Sequence, residues 1–186
     1  AGIPGDIFAS EHLDVAKFDQ IRIAKEFIKF NERCFIRLLG DMRSYNYIVD
    51  ITPDIEGMQY RIRAIDFDQQ SYEGRKSFYL PQYFKENNPI ILLGIKFLTS
   101  ETVKQYQYEE RTNIARRAKS SAEKLAHLLE CMSQDEIAPH EKVVQLRQEL
   151  AQHHKTNDFL KDKSMGELVK RNIHLLVQKE FIHSNI

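Results

Sequence analysis

The sequence predicts an α+β fold that is predominantly helical, with one small β-hairpin. Two observations carry this. Alternating β-rich runs occupy only residues 47–51 and 60–65, whereas apolar residues at three- and four-residue steps organise residues 13–34 and nearly everything after Pro89. Between these regions lies a polar and aromatic stretch, 69–88, containing Gly74 and Pro81. It has no clear period and reads as an ordered loop with room for one helical turn.

Taken in order, Ser10 is placed to cap a helix of roughly twenty residues in which Leu13, Ala16, Ile23, Ala24, Phe27, Phe30 and Cys34 share one face. From Cys34 to Leu39 the pattern becomes the short run Cys-Phe-Ile-Arg-Leu-Leu, stopped by Gly40-Asp41, and reads as a brief strand. The runs 47–51 and 60–65 form a hairpin whose loop is Thr52-Pro53-Asp54-Ile55-Glu56-Gly57. After the polar stretch come helices over 90–98, from a Thr99/Ser100 cap to about Met132, from Pro139 to about His154, and from Ser164 onward. There Ser164-Met165-Gly166-Glu167 matches a capping box. The chain is expected to form a single domain over 1–186, with a core portion over 10–98 and a helical portion over 99–186.

Composition excludes several classes. Lys+Arg and Asp+Glu both number 27, so the formal net charge is zero and nothing favours nucleic acid or an anionic membrane. No run approaches eighteen uncharged apolar residues, and no basic segment followed by an apolar one opens the chain, so neither a membrane span nor a signal peptide is expected and the location is read as cytoplasmic. The two cysteines, Cys34 and Cys131, lack the paired spacing of a zinc site and read as buried free thiols.

The chemistry-bearing residues cluster around the hairpin. Asp41 and Asn46 stand five apart in a loop between apolar runs, and Ile65-Asp66-Phe67-Asp68 closes the second strand with further carboxylates. Mg²⁺ takes a few hard oxygen ligands beside phosphate, and phosphoryl transfer needs one more carboxylate aimed at the attacking hydroxyl. In this order of helix, short strand, Asp loop, Asn, hairpin, Asp-Phe-Asp, polar loop and helices, the chain resembles the C-terminal lobe of the protein-kinase-like phosphotransferases. The likeness is closer to their aminoglycoside phosphotransferase and choline kinase branch. That family's catalytic loop usually reads His-Gly-Asp-x-x-x-x-Asn, matched by Leu39-Gly40-Asp41 with Asn46, and its second motif, Ile-Asp-Phe or Ile-Asp-Trp with a following acid, is matched by Ile65-Asp66-Phe67-Asp68. The resemblance covers about residues 11–90.

It implies an ATP- and Mg²⁺-dependent transfer of a γ-phosphoryl group to a hydroxyl of a small molecule. Asp41 would accept or orient the hydroxyl proton, Arg43 would neutralise developing charge, and Asn46 and Asp66, with Asp68 beside them, would hold the metal on the phosphates. Leu39 replaces the family's usual histidine, so the loop is expected to be braced by packing. Only 40 residues precede Asp41, and they contain no glycine-rich loop, no strand lysine and no room for a five-stranded N-terminal lobe. The chain is therefore expected to be either a C-terminal fragment that pairs with an N-lobe, or a kinase-derived interaction module that no longer phosphorylates. Exposed apolar residues on the lobe-facing surface would then favour an N-lobe or self-association.

Other residues read more plainly. His127 and Cys131 beside Glu130 read as a partly buried helix face rather than a metal site. His153-His154 reads as a solvated helix end, and Arg116, Arg117 and Lys119 as a solvated face. Phe78, Tyr79, Tyr83 and Phe84 fit either the substrate side or the core contacts of a long loop.

Overall fold

The computed structural model describes residues 2–15 and 18–183. Its sheet has three antiparallel strands, β1 (Ile3–Pro4), β2 (Tyr47–Asp54) and β3 (Gly57–Ala64), in that spatial order. The fold is thus α+β and mostly helical, as expected. β2 and β3 pair from Tyr47↔Ala64 to Asp54↔Gly57, leaving only Ile55 and Glu56 at the turn. The expected six-residue loop contracts because Thr52, Pro53 and Asp54 stay extended opposite Gln59, Met58 and Gly57, and Gly57 (φ 119°) supplies the positive φ that a tight turn requires. β1 was not foreseen; a two-residue strand leaves no period to read.

The first helix differs from the sequence expectation at both ends. Residues Gly5–Ile7 form a short α1 that continues as a π-helical turn, Phe8–His12. The main helix, α2, spans Gln20–Ile36 and is capped by Asp19, whose Oδ1 accepts from the Arg22 amide (3.0 Å), rather than by Ser10. Tyr60 Oη fixes this start by accepting from the Asp19 amide at 2.9 Å. Ala16, assigned to the apolar face, lies outside the described residues. At the other end α2 runs through Cys34, Phe35 and Ile36, and the expected strand shrinks to one bridge, Leu39↔Gln70. All three residues are buried because the end of α2 is surrounded by neighbouring elements, and all-round burial reads in sequence as an unbroken apolar run.

Five helices follow: α3 (Asn88–Phe97), α4 (Ser100–Ser120), α5 (Ala122–Gln134), α6 (His140–His154) and α7 (Met165–His183). Thr99 caps α4 by accepting from the Thr102 amide (3.2 Å). The single helix expected from Ser100 to Met132 is broken at Ser121 (φ −124°, ψ 30°). At α7, Ser164 Oγ accepts from the Glu167 amide (3.2 Å), and the Glu167 carboxylate answers to the Lys163 amide, a capping box shifted by one residue. No described helix is long and apolar enough to cross a membrane.

Two apolar clusters result. One gathers Phe8, Phe27, Phe30, Tyr47, Val49 and Ile62 between α2, the hairpin and α3; the other gathers Phe35, Leu146, Leu150, Phe159, Leu168 and Val169 among α5, α6 and α7. α2 contributes to both, and each fully buried Phe or Leu contributes about 1.5–3 kcal/mol. Two minor expectations are corrected. Cys131 is exposed, with its sulfur 3.9 Å from His127 Nε2, because that edge of α5 faces solvent. His154 is half-buried, stacked on Phe159 at 5.3 Å between ring centres and within 2.8 Å of Asn172 Oδ1, so this ring is packed rather than solvated, whereas its neighbour His153 is exposed as expected.

Candidate functional site

Residues 38–46 cross from the end of α2 to the start of β2, and backbone hydrogen bonds brace them from outside. Gly40 N–H donates to Gln69 O (3.0 Å), Asp41 N–H to Phe78 O (3.2 Å), and Ser71 N–H to Leu38 O (2.8 Å). Gln70 Nε2 donates to Arg37 O (2.6 Å) and Leu38 O (3.2 Å). Packing was expected to replace the histidine absent at position 39; these backbone bonds act together with the fully buried Leu39. Gly40 is required here, since a Cβ would stand 2.7 Å from the Phe78 ring and 3.0 Å from Gln69 O.

Within this frame Asp41 adopts a left-handed backbone (φ 58°), a conformation that Asp and Asn tolerate best among residues with a side chain. Arg43 Nε donates to Asp41 Oδ1 at 2.7 Å, and Arg43 Nη1 donates to Glu86 Oε1 at 3.0 Å. The guanidinium lies over the Phe84 ring, 4.8 Å from its centre. The hydrogen bond to Asp41 raises Arg43 above its ordinary value, while a bond from its own amide and then Arg43 hold Glu86 below the usual carboxylate range. Glu86 Oε2 is enclosed and has no hydrogen-bond partner. Asn46 Nδ2 donates to the Asp41 carbonyl (2.7 Å) and approaches Asp41 Oδ2 at 3.4 Å. With its nitrogen so engaged, Asn46 leaves Oδ1 without a partner among the described residues.

The hairpin carries Asn46 toward the opposite strand, where Ile65 N–H donates to Asn46 O (3.1 Å), one residue before Asp66. Asp66 Oδ1 accepts from the Asp68 amide (3.0 Å), forming a local turn; its Oδ2 is free among the described residues. The structure therefore joins Asp41, Arg43 and Asn46 by direct hydrogen bonds. Asp66 and Asp68 follow the neighbouring backbone, with no hydrogen bond to those three. Among the described residues no three His, Cys, Asp or Glu side chains close on a common point, His127 and Cys131 included. The oxygens left without a partner among the described residues are Asn46 Oδ1 and Asp66 Oδ2, hard donors of the type Mg²⁺ takes.

Sequence reading missed Glu86 and Asn87. Buried Asn87 donates Nδ2 to Met42 O (2.9 Å) and Pro81 O (2.7 Å) and accepts from Tyr47 Oη (2.8 Å), tying the loop, the hairpin and the 3₁₀ turns over Lys76–Tyr79, Pro81–Tyr83 and Lys85–Asn87 together. Both lie in a segment without periodicity, so no pattern marked them. The aromatic residues divide: Tyr79 is fully buried core, Phe84 underlies Arg43, and Tyr83 is 63% exposed. Comparison with protein-family models, with curated proteins and with solved structures finds no match to this chain.

Proposed function

We propose that this chain is the C-terminal lobe of a kinase-like phosphotransferase which, in its complete form, moves the γ-phosphoryl group of ATP to a hydroxyl of a small molecule. The observation that supports this most is the coupling of Asp41, Arg43 and Asn46 in one braced loop at the open end of a hairpin whose other strand leads into Asp66. Asp41 orients the acceptor hydroxyl and takes its proton. Arg43, held between Asp41 and Glu86, is a fixed positive charge for the anionic transition state, and loose phosphoryl transfer depends mainly on such positioning and electrostatics. Asn46 Oδ1 and Asp66 Oδ2 are the oxygens that would hold Mg²⁺, and the ion would supply positive charge against the phosphates.

Calorimetry with Mg²⁺-ATP tests the reading. Weak binding by the wild type that Asp66→Ala abolishes is expected; identical absence of heat for both would refute nucleotide binding by this chain.

A second reading, a kinase-derived interaction module without catalysis, is favoured by a separate observation. Asp41 already accepts from Arg43 within a closed chain of ion pairs, and Tyr45, Ile65 and Phe67 beside the loop are 51%, 52% and 53% exposed. Light scattering separates the two: concentration-dependent self-association that Phe67→Ser abolishes favours the module.

A further inference from the structure

A groove of about 330 Å³ lies between the last turn of α2, α4, the start of α5 and α7. Its floor is apolar, formed by Ile36, Ile114, Leu125 and Ile173, and three arginines, Arg33, Arg37 and Arg117, rise around it. A volume near 300 Å³, mostly apolar walls and a few convergent polar groups are the usual character of a small-molecule site.

The arginines are not equally occupied by the protein. Arg33, nine-tenths buried, is committed to the protein: its Nη2 pairs with Glu26, and its Nη1, though outside hydrogen-bond geometry, stands 3.3 Å from Glu110 Oε1. Arg37 Nε is enclosed and lacks a hydrogen-bond partner. Arg117 is exposed and has no carboxylate partner among the described residues. Enclosed guanidinium nitrogens without acceptors cost free energy unless something supplies one, and Arg presents a planar fork suited to carboxylate or phosphate oxygens.

We propose that this groove binds a small amphipathic anion, a carboxylate or phosphate monoester carrying a hydrocarbon or aromatic body. The anionic head sits between Arg37 and Arg117, and the apolar body lies over Ile36, Ile114, Leu125 and Ile173. Arg37 also faces the Phe67 ring at 5.9 Å, so the head group borders the segment that bears Asp66. The proposal does not depend on the phosphotransferase reading.

Calorimetry on the whole chain with octyl phosphate, inorganic phosphate and octanol tests it. Octyl phosphate is expected to bind at one site per chain. Arg37→Gln and Arg117→Gln are each expected to weaken binding about tenfold, the effect of losing one charge-assisted hydrogen bond. Inorganic phosphate and octanol are expected to bind at least tenfold more weakly than octyl phosphate, since each offers half of the recognition. Asp66→Ala is expected to leave octyl phosphate binding unchanged, which separates this site from a nucleotide site. Octanol binding as well as octyl phosphate, inorganic phosphate binding as well as octyl phosphate, no binding at all, or affinity indifferent to Arg117→Gln would each overturn the proposal. Arg117 is exposed, so its variant decides the matter even if Arg37→Gln unfolds the chain.

Discussion

Around the hairpin, buried charge is tied to backbone, whereas in the α5–α7 half contact is apolar and close between main chains. Glu26 Oε1 accepts from the Ile62 amide (2.9 Å), and Arg33 Nη2 donates to the Ile62 carbonyl (2.9 Å) and to Glu26, so two side chains of α2 hold the middle of β3. In the helical half, Gly166 lets α7 approach the end of α5 so closely that a Cβ would stand 2.1 Å from a Met132 backbone atom. The first region keeps polar groups with open valences, such as Asn46 Oδ1 and Glu86 Oε2, near others that are committed. In the second, polar side chains such as Asn172, which donates to Phe35 O (2.9 Å) and Ile36 O (3.1 Å), are spent on joining elements. The helical half keeps a buried ion pair of its own, Asp162 with Arg171, and there both carboxylate oxygens are spent on the guanidinium.

The largest expected effect comes from the charged region. Arg33→Met leaves Glu26 and Glu110 buried without their cation and should destabilise the chain by about 3–5 kcal/mol in urea unfolding. A loss below about 1 kcal/mol would erase the contrast between the two halves. In the apolar half Gly166→Ala should cost about 2–3 kcal/mol, because backbone rather than a flexible side chain must yield. A third effect arises at the junction. Burial pushes the Cys34 thiol from 9.0 up to about 12, with Arg37 and Arg33 opposing the shift. The unfolded chain loses that proton first, so this contribution is intact below pH 9 and falls away as pH rises toward 12, by at most about 1.4 kcal/mol per pH unit. Burial also raises the Tyr47 and Tyr79 phenols, which add their own slope above pH 10, so the cysteine is read between pH 9 and 10, where alkaline unfolding curves should fall in wild type and Cys131→Ser and flatten in Cys34→Ala. Smallest of these is Arg43→Gln: its ion pairs are a third exposed, so stability should change by less than about 1 kcal/mol in the same urea assay, while Mg²⁺-ATP heats should still change if the loop binds phosphate.

Legibility in the sequence followed the same division. The hairpin, the Thr99 cap, the Ser164 cap and the limits of α6 were readable because alternation, helical spacing and capping chemistry are local signals. Ser121 was not, since a single serine between two helical patterns carries no breaker signature; nor was the extension of α2 through Ile36, where tertiary burial imitates a strand. Asp41 and Asn46 were legible from their spacing, and Arg43 only through the family resemblance. Glu86 was hidden because it reaches Arg43 across 43 residues through a segment shaped by side-chain bonds to Asn87 rather than by periodicity. The groove arginines were also hidden, being spread over α2 and α4 among ordinary helix-face charges.

The positive φ at Asp41 sets scaffold and chemistry against each other at one position. That conformation is easiest for glycine and hardest for β-branched residues, while the role proposed for Asp41 needs its carboxylate. Asp41→Gly should therefore melt no lower than wild type in a thermal scan even as it strips away the reactive group, and Asp41→Val should suffer in both respects. That series of two variants separates the torsional cost of the position from what its carboxylate contributes.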